Sequence, residues 1–196
     1  MPVWQRTTKR IIDIFLSLIA AVILLPLILL NAIIILITSW GPLFFLQERE
    51  GKDGIPFMIW KFRSMHVSAE RTGPQLSSDD DRRATPWGKV MRRWRMDELP
   101  QLWNVIKGDM SIVGPRPERK FFIDQILPQH PEYKNLLKVK PGLTSLGITK
   151  FGYAENVGEM IERMKYDLVY IEKISLLMDF KIMLQSINVI LAGKGK

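Results

Sequence analysis

Asp97 and Glu98 stand side by side behind a run of cations. Arg82, Arg83, Lys89, Arg92, Arg93 and Arg95 fall within fourteen residues that hold no acid. Adjacent carboxylates next to arginines suit a Mg²⁺ and phosphate site: the acids hold the hard cation, the guanidinium forks hold phosphate oxygens. With charge repulsion neutralised, a carboxylate can itself attack phosphorus. Taken alone, Asp97 reads as the cap of a following helix with Pro100 in its first turn. The six cations just upstream weaken that reading.

The stretch Lys107-Gly108-Asp109-Met110-Ser111-Ile112-Val113-Gly114-Pro115-Arg116-Pro117 follows. Gly108-Asp109 and Gly114-Pro115 signal turns around a very short strand. Arg116, between two prolines, sits on a stiff extended backbone, as a preorganised phosphate ligand would. An incidental arginine on a rigid surface turn is the other reading of this stretch.

The elements around these residues follow from spacing. Thr85-Pro86 marks a helix start, cap then proline. Trp87, Val90, Met91 and Trp94 then make one apolar stripe, with Lys89, Arg92 and Arg93 on other faces. Such a helix suits a membrane interface; packing on its own domain with a solvated basic face is the alternative. Residues 14–47 carry no charge, and apolar residues dominate from Ile14 to Trp40. A bilayer core takes about 20 apolar helical residues, so the segment is long enough to enter one. It is too long for a signal peptide and lacks a small-x-small cleavage site. Arg6, Lys9 and Arg10 precede it, and Arg49, Lys52, Lys61 and Arg63 follow, so both flanks are basic. Pro26 near the middle breaks the helical ladder. These residues leave a re-entrant helix and a spanning helix equally open.

Strands are expected only at Phe44–Gln47, Phe57–Phe62 and Ile112–Val113. Gly73 to Pro86, with Asp79-Asp80-Asp81, reads as a mobile, solvated acidic loop. Glu159 to Lys173 has helical spacing. Ser175 caps a last helix, Leu176 to Leu191, whose broad apolar face packs on the core or lies along a membrane.

The chain has 196 residues, no cysteine, two histidines and a formal charge of +8. That composition excludes disulfides, thiolate-bound zinc, iron–sulfur clusters, cysteine nucleophiles and histidine-rich metal sites. A basic patch also fits nucleic acid. With an apolar anchor beside it, anionic lipid or phosphate substrates are the nearer partners, and nucleic acid is not expected.

Lys9-Arg10-x-x-Asp13, Lys61-Phe62-Arg63-Ser64-Met65, Met96-Asp97-Glu98-Leu99-Pro100-Gln101-Leu102 and the 107–117 stretch resemble the bacterial sugar transferase family, the monotopic polyprenyl-phosphate phosphoglycosyl transferases. Pro141-Gly142-Leu143-Thr144, Tyr166-Asp167-x-x-Tyr170, Ser175 and Asp179 continue the match in order over nearly the whole chain. The size resembles the family's small catalytic unit.

The resemblance implies transfer of a phospho-sugar from a nucleotide-sugar, a UDP-sugar, to a polyprenyl phosphate such as undecaprenyl phosphate, releasing UMP. It makes Asp97 the nucleophile of a covalent intermediate and Glu98 a partner in Mg²⁺ binding or deprotonation. Arg92 and Arg116 match phosphate-binding arginines, with Lys61 and Arg63 as further phosphate ligands. It favours the re-entrant helix, broken at Pro26. The implied fold is α+β and mostly helical, with interfacial amphipathic helices and a small antiparallel hairpin. The membrane helix takes 1–40 and the catalytic domain 41–196, facing the cytoplasm at the bacterial inner membrane. Membrane lipid and downstream glycosyltransferases are the expected partners.

Leu25 stands where the family commonly has serine before the proline, which leaves the hydrogen bonding of the break open. Ser145 and the stretch 146–153 also depart from the family pattern, in the region that the resemblance links to the nucleotide-sugar. A non-catalytic membrane adaptor needs neither adjacent acids nor the Gly-Pro-Arg-Pro turn. A sugar-only glycosyltransferase needs a nucleotide-binding domain larger than this chain offers.

Overall fold

The computed structural model describes residues 2–70, 73–78, 81–193 and 195. Its N-terminal apolar segment is two helices, α1 (Val3–Ile23) and α2 (Leu25–Thr38), bent by 61°. The break falls at Leu24, and Pro26 lies in the first turn of α2. There its missing N–H is one that no helical carbonyl requires. Leu24 donates to the Ala20 carbonyl at 2.8 Å and accepts from the Ile28 amide at 2.8 Å. The ladder is therefore carried on both sides of the bend without a serine. Among the described residues no single helix is long and apolar enough to cross a membrane; the bent pair passes that test only jointly.

The Lys9-Arg10-x-x-Asp13 motif fastens α1 to the rest of the chain. Arg10 donates to the carbonyls of Val105 and Ile106 at 2.6 and 2.8 Å. Those carbonyls end helix α4 (Gln101–Lys107), where a helix leaves its acceptors unmet. Asp13 accepts from the Ser111 hydroxyl and the Ile112 amide. Lys9 bridges the Val113 carbonyl and Asp179, at 3.0 and 2.8 Å.

Strands β1 (Phe44–Glu50) and β2 (Pro56–Phe62) form the expected antiparallel hairpin, with Lys61 opposite Phe45. A second pair was not expected: β3 (Ser111–Val113) lies parallel to β4 (Gly142–Thr144). Three residues are too few to show alternation. What permits this pairing is glycine, since a Cβ on Gly142 would lie 2.1 Å from the Gly114 nitrogen.

Between the pairs run α3 (Pro86–Arg93), a 3₁₀ turn (Met96–Glu98) and α4. Thr85 caps α3, its hydroxyl accepting from the Gly88 amide at 2.9 Å. Arg92 is buried, against the alternative in which the basic face of α3 is solvated, and Asp81, expected in a solvated acidic loop, is buried too. Asp81 accepts from the Arg83 guanidinium at 2.6 and 2.8 Å and lies 3.6 Å from Arg92. Asp79 and Asp80 lie outside the described residues. The end of the 73–86 stretch is tied down by the Met65–Ala84 bridge and by the Thr85 amide on the Ser64 carbonyl.

Helices α5 (Lys120–Ile126), α6 (Leu146–Lys150), α7 (Val157–Lys173) and α8 (Leu176–Leu191) complete the chain. Phe122, Ile126, Tyr133, Met160 and Met164 form one core; Val113, Tyr170 and Ile182 form another. Ser175 caps α8 through the Met178 amide. The apolar face of α8 divides: Ile182, Met178 and Met183 pack on the core, and part of the face is exposed. Ile182 turns inward beside Asp179 and Ser186, while Leu177, Phe180, Leu184, Ile187 and Leu191 face out.

Candidate active site

The six residues singled out for chemistry, Lys61, Arg63, Arg92, Asp97, Glu98 and Arg116, line a single cavity of about 220 Å³. They arrive there from four places in the fold. Strand β2 brings Lys61, and Arg63 follows it. Helix α3 carries Arg92, the 3₁₀ turn carries both acids, and the proline-flanked turn after β3 carries Arg116.

The acid turn is built on a backbone exception. Arg95 has φ of 56°, left-handed for a residue with a side chain, which costs about 1 kcal/mol. That conformation reverses the chain between α3 and the turn. Its guanidinium then closes on Glu98 at 2.7 and 3.0 Å. The helix-cap reading of Asp97 fails, because α4 starts after Pro100 with no side-chain cap.

The two acids are not equivalent. Glu98 meets Arg95, then Lys61 and Arg116, both at 3.3 Å. Burial alone would raise its pKa, but Arg95, Lys61 and Arg116 outweigh burial and hold it well below the usual carboxylate range. Asp97 makes no hydrogen bond or ion pair among the described residues. Burial pushes its pKa up to about 6, against the pull of Lys61. Lys61 is itself lowered by burial. One acid is thus locked and charged, the other open and poised.

The cations are incompletely satisfied. Arg63 donates to the Ser39 carbonyl at 2.6 Å, yet its Nε and Nη1 are buried without a hydrogen-bond partner. The same holds for Nη1 of Arg92 and Nε of Arg49, which also lines the cavity. Buried donors on charged groups are costly to leave unmet. Several around one cavity fit an anion with multiple oxygens.

Three contributors escaped sequence reasoning. Tyr153 lies under the guanidinium of Arg116 at 5.0 Å and of Arg95 at 5.9 Å, and burial pushes its pKa up to about 12. Arg49 is held by Glu118, which also pairs with Arg163. Arg95 lay in the basic run but carried no assigned role. Asp167, quoted above within a motif, supports the site from behind. It accepts from the Gly147 amide at 2.8 Å and more weakly from the Arg116 amide at 3.4 Å.

For a metal, Asp97 and Glu98 offer adjacent carboxylates; Glu70 also lines the cavity but is taken up by Arg119 and Gln47. No group of three or more His, Asp and Glu gathers among the described residues. That pair fits Mg²⁺ arriving with a diphosphate, since Mg²⁺ typically uses one or two carboxylates plus substrate oxygens. It does not fit a self-contained metal cage.

Fold and site together define a class: an acid pair in a cation-walled cavity, on a chain with a bent apolar helix pair. The family model described as bacterial sugar transferase matches residues 4–193, and the chain belongs to that family. It is 42% identical over 187 residues to a UDP-N-acetylgalactosamine-undecaprenyl-phosphate N-acetylgalactosaminephosphotransferase of Aeromonas hydrophila, covering 95% of this chain and 44% of the relative. It is 38% identical over 181 residues to a UDP-glucose:undecaprenyl-phosphate glucose-1-phosphate transferase of Caulobacter vibrioides, covering 91% and 68%. An Escherichia coli protein of the same name as the latter is 37% identical over 180 residues, covering 91% and 39%. The chain therefore spans less than half the length of the Aeromonas and Escherichia relatives.

Proposed function

We propose that this chain transfers a sugar phosphate from a UDP-sugar to undecaprenyl phosphate, with Asp97 as nucleophile. The observation that carries the reading is the asymmetry of the acid pair. Glu98 is neutralised by three cations, while Asp97 is open to the same cavity. An Asp97 oxygen bonds to the phosphorus that bears the sugar, and the bond from that phosphorus to the UMP oxygen breaks. UMP leaves with the electron pair. An oxygen of the lipid phosphate then attacks the same phosphorus, the acyl-phosphate bond breaks, and Asp97 regains its carboxylate. The product is a polyprenyl-diphosphate sugar.

The protein's part is charge placement in a water-poor cavity. Arg116, steadied by Tyr153 and Asp167, and Arg92 face the phosphate oxygens; Lys61 and Arg63 add donors. Glu98 keeps Lys61, Arg95 and Arg116 gathered at one point. Mg²⁺, held by Asp97 and Glu98 with the diphosphate, would supply Lewis-acid charge neutralisation. The relatives named above differ in sugar, glucose or N-acetylgalactosamine, so the sugar is left unassigned.

The reading places residues 1–40 in the cytoplasmic face of the bacterial inner membrane as a re-entrant helix and residues 41–196 on its surface. The 61° bend and the outward apolar residues of α1, α2 and α8 support it. Incubation with UDP-sugars, Mg²⁺ and undecaprenyl phosphate tests the chemistry. UMP is the expected nucleotide product, and release of UDP would overturn the reading.

A further inference from the structure

Helix α2 has one residue that does not match its environment. Leu29, Leu30, Ile33, Leu36 and Ile37 are each at least half exposed, as lipid-facing residues would be, while Asn31 is 0% exposed. Its amide Nδ2 donates to the Leu27 carbonyl at 2.8 Å and lies 3.8 Å from the sulfur of Met96. Its Oδ1 accepts from the indole Nε1 of Trp87 at 3.2 Å. Trp87 lies in the first turn of α3, and Met96 immediately precedes Asp97. Around this contact Ile35, Phe62 and Met91 form a buried cluster, with Trp87, Met96 and Leu99 packed against it.

We propose that Asn31 and Trp87 form a latch that sets the depth of the acid turn relative to the re-entrant helix, so that a lipid-borne phosphate meets Asp97. Both are positioning residues; neither touches the reacting atoms. Apolar packing alone cannot fix the register of α2 under α3, because one aliphatic contact replaces another at little cost. A directional hydrogen bond in an apolar setting can, since any slip leaves the buried Asn31 amide oxygen and the half-buried Trp87 indole unmet. The latch also gives the bend a polar attachment on a chain that carries Leu25 before Pro26.

The inference rests on the proposed transfer to a lipid phosphate, and its test separates the two. Trp87→Phe keeps the ring and removes the donor; Asn31→Leu removes the acceptor. Each single variant is expected to raise KM for undecaprenyl phosphate about tenfold, leave KM for the UDP-sugar unchanged and lower the melting temperature. The double variant Asn31→Leu/Trp87→Phe leaves no polar group unmet. It should recover the melting temperature while the KM for the lipid stays high. Recovery of both would make the pair merely structural and overturn the proposal, as would singles with unchanged lipid KM. Exchange of the Trp87 indole proton, followed by NMR, stands apart from activity. It should be slow in the parent chain and fast in Asn31→Leu, and equal rates would sink the latch. If the parent chain fails to turn over undecaprenyl phosphate, the transferase reading falls, and indole exchange still judges the latch.

Discussion

Asp97 carries two burdens at once. Its pKa sits at about 6 against an ordinary 3.8, because burial disfavours the charge. A raised folded-state value means that the native state holds the proton more tightly than the unfolded chain. The associated stability is complete below about pH 3.8 and is lost as pH rises through about 6. Asp97→Asn should therefore abolish turnover yet raise the melting temperature at pH 8, with little change at pH 4. Calorimetry at the two values checks this; a melting temperature lowered at pH 8 would contradict it. Turnover of the parent chain should rise as pH increases through about 6, as the nucleophile ionises. Arg116→Lys keeps the charge but loses the planar fork that the proposed mechanism sets against two phosphate oxygens. It should cost about a hundredfold in kcat/KM, read by steady-state kinetics.

At the scale of elements, the site depends on how short pieces are held. The pairing of β3 and β4 puts Gly142 against the Gly114 backbone, and neither can move aside. Gly142→Ala should lower stability by about 3 kcal/mol, measured by denaturant unfolding. Beside the same end of β3, the Lys9–Asp179 pair is largely buried, and the Tyr170 hydroxyl also donates to Asp179 at 2.7 Å. Lys9→Ala leaves that carboxylate with one neutral donor and should cost about 3 kcal/mol. The caps at Thr85 and Ser175, the hairpin and helices α3, α7 and α8 were legible because each rests on local chemistry, whereas the short helices α5 and α6 were not expected. Strand β4 was not, being three residues long with its partner about thirty residues away in the chain. Asp81 looked solvated because an acidic run does not show that Arg83, two residues on, folds back onto it, or that Arg92 of α3 lies 3.6 Å away.

Across the whole molecule, the same contrast holds. The acid pair and the four cations share one cavity because their residue types already implied one ligand chemistry. Tyr153 and Arg49 were invisible, since stacking under a guanidinium and pairing with a distant Glu118 have no spacing signature. Asn31 was visible only as an amide within an apolar run. Its meaning needed α3 laid against α2. The bend at Leu24 bears on topology, and the chain's lack of cysteine makes the test clean. Single cysteines at Pro2 and Ser64 should both label from the cytoplasmic side; labels on opposite faces would show a spanning helix and end the re-entrant reading.

The central claim is that Asp97 bonds to phosphorus. Intact-protein mass spectrometry after mixing with a UDP-sugar and Mg²⁺, with polyprenyl phosphate left out, addresses it directly. The account predicts an adduct with the mass of one sugar phosphate, with UMP released in equal amount, absent in Asp97→Asn and discharged on adding undecaprenyl phosphate. An unmodified protein that still turns over when lipid is added, or an adduct that persists in Asp97→Asn, would contradict it.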